Sequence, residues 1–76
     1  MSEVEFIDIF AGNLESLLIE RRMSRRDLVE LSGVSSATIS KYLARKQMPK
    51  LSALINLCLA LDCDIEDLIP VYDRIV

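Results

Sequence analysis

From Asp8 to Glu20 the apolar residues Phe10, Leu14, Leu17 and Leu18 recur at the spacing of one helical face. Gly12 interrupts that run and weakens it by roughly 1 kcal/mol relative to Ala. Residues 3–7, EVEFI, alternate enough for a strand and read equally well as a helical lead-in. Ser24 is placed to cap a second helix, with Asp27 three residues on to complete a capping box; Leu28 and Leu31 are expected to point inward. SGV at 32–34 ends that helix, because Gly33 takes the left-handed conformation without steric cost. Ser35 then caps a third helix, whose apolar stripe is Ile39, Tyr42 and Leu43. Pro49 precedes a fourth helix, with Leu51, Leu54, Ile55, Leu57, Cys58 and Leu61 expected mostly in the core. Asp64 caps a short fifth, IEDLI, which Pro70 ends. The predicted helices span roughly 8–20, 25–31, 36–44, 51–61 and 65–69, and the apolar tail 70–76 is expected to pack. The expectation is an all-α fold of five helices in a single domain, 1–76.

A helix, a turn of about four residues containing Gly, and a second helix form the helix-turn-helix pattern. At 100° per residue, the third helix presents Ala37, Ser40, Lys41 and Ala44 opposite Ile39, with Ser36 and Arg45 at the margins. Charge sharpens this picture. The 76-residue chain has a net charge of −3, which argues against an anionic partner until its distribution is examined. Eight of the nine basic residues lie in 21–50, giving that segment +6 and leaving −9 for the rest. A partner at close range feels the local field, since charges beyond about 8–10 Å are largely screened.

Other chemistry is sparse. There is no His, and Cys58 and Cys63 alone fall short of a usual zinc set; free, buried thiols fit them better than a disulfide or a reactive site. No Gly-rich phosphate loop or clustered catalytic set is visible, so no enzyme, metal or cofactor is expected. The acidic start does not read as a signal peptide, and no apolar run approaches the ~20 residues of a membrane span; a cytoplasmic protein is expected.

From about Leu14 to Ile69 the chain resembles the helix-turn-helix domain of phage repressors and Cro-like regulators. The string MSRRDLVELSGVSSATISKYLARKQMP, followed by LINLCLALDCDIEDLI, carries the resemblance. It implies a lambda-repressor-like fold in which helices two and three form the motif and the third enters the DNA major groove. It further implies a sequence-specific regulator of transcription, a repressor, acting on double-stranded DNA as a homodimer. By that resemblance Ser36, Ala37, Ser40 and Lys41 read bases, and Arg25, Arg26, Thr38, Arg45 and Lys46 contact phosphates. Leu59, Val71, Tyr72, Ile75 and Val76 are candidates for the dimer interface. The alternative is a protein-interaction module that keeps the fold without binding DNA. As for the remaining arginines, Arg21 and Arg22 read as complements to the C-terminal end of the first helix.

Four departures from the family pattern stand out. Arg25 replaces the usual Gln at the start of the second helix. Leu18 and Leu43 occupy the positions of a buried Arg–Glu pair and are expected to touch. Ala44-Arg45 replaces a polar-Gly dipeptide, so either Arg45 is left-handed or the helix runs on. Asp62 stands where Gly is common, and Asp tolerates that conformation better than most residues.

Overall fold

The computed structural model describes residues 1–69. Five helices follow in order: α1 (Glu3–Glu20), α2 (Arg25–Ser32), α3 (Ser36–Leu43), α4 (Leu51–Leu61) and α5 (Ile65–Leu68). No strand occurs among the described residues, and none of their helices is long and apolar enough to cross a membrane. The expected packed tail lies outside the described residues, as do Val71, Tyr72, Ile75 and Val76.

Helix α1 starts earlier than the apolar stripe alone indicates, which resolves the ambiguity of residues 3–7. Ser2 caps it, its Oγ accepting from the Glu5 amide at 3.1 Å, and Glu3 and Glu5 favour the positive end of the helix dipole. Phe6 then packs against the core and holds the extra turns down. The core joins Phe10, Leu14, Leu17 and Leu18 of α1 to Leu28, Ile39, Tyr42, Leu54, Leu57, Leu61 and Leu68. Its largest members, Phe10 and Tyr42, meet edge to face with ring centroids 5.4 Å apart, so α3 is packed directly on α1.

Two expectations about the core are corrected. Leu31 is 63% exposed, because α2 buries the arc of Leu28, half-buried Val29 and Ser32. At 100° per residue Leu31 falls on the outer side of that arc. Ser32 is tolerated inside because its Oγ accepts from the Val34 amide at 3.1 Å. In α4 the buried arc is Ala53, Leu54, Leu57 and Leu61, which leaves Leu51, Ile55 and Leu59 exposed in a row at four-residue spacing.

Three helices end on a left-handed residue that is not glycine: Arg22, Arg45 and Asp62, with φ of 52°, 62° and 51°. Each closes a Schellman turn. The next residue's amide reaches back five positions: Met23 to Leu18 O (2.9 Å), Lys46 to Lys41 O (2.9 Å) and Cys63 to Cys58 O (3.1 Å). Gly33, at φ 74°, ends α2 with the simpler bond to Val29 O.

Arg21 serves more than the end of its own helix, where its Nη1 lies 3.2 Å from Glu20 Oε1. Its Nε donates to Leu61 O at 2.6 Å and its Nη2 to Asp62 O at 3.3 Å, so it complements the C-terminus of α4. Asn13 Nδ2 donates to Leu68 O at 3.0 Å and ties α1 to α5.

Candidate nucleic-acid interface

The turn 33–35 sets α3 after α2, and both helices begin on a serine cap. Ser24 Oγ accepts from the Asp27 amide at 3.1 Å while Asp27 Oδ2 accepts from the Ser24 amide at 3.0 Å. The hydrogen bond from the Ser24 amide, and after it the nearby Ser24 hydroxyl, hold the Asp27 carboxyl below its ordinary pKa of 3.8, against a smaller opposing effect of desolvation. Ser35 Oγ accepts from the Thr38 amide at 3.2 Å and lies 2.9 Å from Thr38 Oγ1 as a donor. In both helices the caps occupy the third amide of the first turn. The two amides before it have no partner within the helix, which makes each helix start a favourable place for an anionic oxygen.

Ile39 and Tyr42 bury the inner side of α3, and the outer side carries exposed Ser36, Ala37, Ser40 and Lys41. Those four share one short-chained surface ending in a cation. Arg25 and Arg26 stand exposed at the start of α2, and Lys46 is exposed just past α3. Three of the expected phosphate contacts already have intramolecular partners. Arg26 Nε lies 3.4 Å from Glu30 Oε1 one turn on, both ends well exposed. Thr38 is half-buried against the Ser35 cap. Arg45 Nε lies 3.0 Å from Asp8 Oδ1, a partner on α1 that sequence spacing does not reveal.

Leu18 and Leu43 line one open cleft of about 490 Å³ between α1, the start of α2 and the end of α3. Ile19 and Met23 add to its apolar wall and Arg22 and Arg25 stand at its edge. The cysteines are free and half-buried at the α4–α5 joint. Burial pushes Cys58 up and pushes Cys63 from 9.0 to about 12, so both are protonated thiols near neutral pH. Among the described residues, no three His, Cys, Asp or Glu side chains are grouped to hold a metal ion.

The sequence model of the Cro/C1-type helix-turn-helix DNA-binding domain matches residues 13–73. The chain belongs to this family. Solved structures agree at the level of fold. The Cro/C1-type chain is similar to the restriction-modification controller protein C.AhdI from Aeromonas hydrophila, with a TM-score of 0.77 and 22% identity, covering 82% of this chain and 94% of that one. It is also similar to an HTH_3 family transcriptional regulator from Vibrio cholerae, with a TM-score of 0.84 and 22% identity. That match covers 88% of this chain and 38% of the Vibrio chain. Among curated proteins none matches at a significant level. The serine-capped pair α2–α3 is therefore the helix-turn-helix of a Cro/C1-type DNA-binding domain.

Proposed function

We propose that this Cro/C1-type domain represses transcription by binding a specific double-stranded DNA site with α3 in the major groove. The observation that carries the reading is the division of α3: Ile39 and Tyr42 are fully buried, while Ser36, Ala37, Ser40 and Lys41 are exposed together. Lys41 suits guanine O6 or N7, Ala37 suits a thymine methyl, and the serines donate or accept. None of these residues forms the bidentate pairs of Asn, Gln or Arg, so discrimination per base is modest and DNA shape contributes. Arg25, Arg26, Thr38, Arg45 and Lys46 hold flanking phosphates and set the register, with the free amides of the two helix starts assisting. The unit acts as a homodimer whose two recognition helices fall about one turn of DNA (~34 Å) apart.

The exposed apolar row Leu51, Ile55 and Leu59 favours a second reading, a protein-interaction module on the same fold. Fluorescence anisotropy of a labelled mixed-sequence duplex at about 50 and 200 mM salt separates the two. DNA binding through several phosphates loses orders of magnitude in affinity over that range. The double variant Arg25→Ala/Lys46→Ala is expected to bind every duplex more weakly and with a salt slope shallower by about 2. A folded protein that leaves the duplex free at both salt concentrations is an interaction module instead.

A further inference from the structure

The Asp8–Arg45 pair joins the early turns of α1 to the turn after α3. The contact is direct and open to solvent: Nε to Oδ1 is 3.0 Å, with Arg45 44% and Asp8 58% exposed. Arg45 is also held by its backbone, at φ 62°, and its Nη1 donates to Leu43 O at 3.3 Å. Its guanidinium thus already has a carboxylate on one donor and a carbonyl on another. Asp8 lies outside the family match, which begins at residue 13, on turns of α1 that Ser2 and Phe6 hold in place. Those turns also carry Glu3 and Glu5, so they are wholly acidic, beside a segment of net charge +6.

We propose that Asp8 is an intramolecular competitor for the DNA phosphate that Arg45 contacts. The inference rests on the reading of Arg45 as a phosphate ligand. A carboxylate and a phosphate oxygen both recruit the same guanidinium N–H groups. The Asp8 carboxylate must release Arg45, or share it unfavourably with a second anion, whenever DNA arrives. The chain thereby carries an internal brake on its own affinity, placed on α1 rather than in the helix-turn-helix. Because the pair is exposed, the competition is weak enough for DNA to win, which suits a regulator that must leave its site as well as find it.

The test is the same anisotropy titration on full-length wild type, Asp8→Asn, Arg45→Asn and the double variant, at about 50, 100 and 200 mM salt. Asn keeps the size of Asp8, and at position 45 it tolerates the left-handed backbone. Glu3→Gln controls for loss of one negative charge elsewhere on the same helix. Asp8→Asn is expected to tighten binding about two- to fivefold, the range of an exposed ion pair, with little change in salt slope, because Arg45 reaches its phosphate in both proteins. Glu3→Gln should shift affinity less, and Asp8→Asn should have no more effect than that control in the Arg45→Asn background. Weaker or unchanged binding by Asp8→Asn, while wild type binds with a steep salt slope, overturns the competition and leaves DNA binding standing. An equal gain with and without Arg45 also overturns it, because the effect would then be general charge. Wild type that does not bind the duplex removes both the inference and the function beneath it.

Discussion

Arg22 and Arg45 take a backbone conformation that L-residues other than Asn and Asp avoid, at a cost of roughly 1–2 kcal/mol each. The two are not equivalent. Arg45 recovers part of that cost through Asp8, whereas Arg22 has no ion pair among the described residues and its side chain lines the cleft. Arg22→Gly is therefore expected to stabilise the fold by about 0.5–1 kcal/mol, after allowing for glycine's looser unfolded chain. Arg45→Gly should gain less. Urea denaturation reads both from the shift in midpoint at constant slope, and a destabilised Arg22→Gly would show that the side chain contributes something the contacts do not reveal. At this scale the sequence was informative where a pattern supplied a reference. Arg45 and Asp62 stood where the related domains place glycine, so their left-handed turns were foreseeable. Arg22 had no such marker: arginine is a good helix former, and what stops α1 is the need to bring Met23 to the core and Ser24 to its cap.

At the scale of elements, helical periodicity located all five helices, and the Ser24, Gly33 and Ser35 punctuation marked the motif itself. The start of α1 was harder to read because EVEFI satisfies two periods at once; the Ser2 cap and the burial of Phe6 decide it. Leu31 misled for a different reason. Two leucines three apart define a line on a helix, not an arc, and in α2 the neighbouring α3 and α4 select the arc that includes Ser32. Gly12 offers a clean test of helix energetics. It lies inside α1, and a methyl group added there meets nothing within 4 Å. Gly12→Ala is expected to stabilise the protein by about 0.5–1 kcal/mol, measured as a rise in thermal midpoint of several degrees for a chain of this size. A fall would mean that α1 needs its glycine for a close approach by another molecule.

Across the whole molecule, charge and apolar surface are segregated. The basic segment 21–50 carries α2 and α3, while α4 presents Leu51, Ile55 and Leu59, the last 75% exposed, along one side. If the homodimer forms through that side, Leu59→Glu should weaken self-association at least tenfold, since burying a leucine contributes about 1.5–3 kcal/mol and a buried unpaired carboxylate opposes contact. Sedimentation equilibrium over a range of concentrations measures it; unchanged association would move the interface off α4. The basic character of the site was visible in sequence because it is a local density. The Asp8–Arg45 and Arg21–Leu61 contacts were not, because each joins segments that only the folded chain brings together.

The edge-to-face contact of Phe10 with Tyr42 has a consequence for how α3 meets anything at all. A helix that rolls about its own axis would have to withdraw a buried aromatic ring from between its neighbours, so α3 is locked in rotation as firmly as the core is packed. The disorder that a loosely held helix loses on contact is here lost when the chain folds. Its outer positions are presented at one angle, so the recognition proposed for α3 would be a fit to a fixed helix, with little backbone rearrangement to slow arrival or to forgive a mismatch.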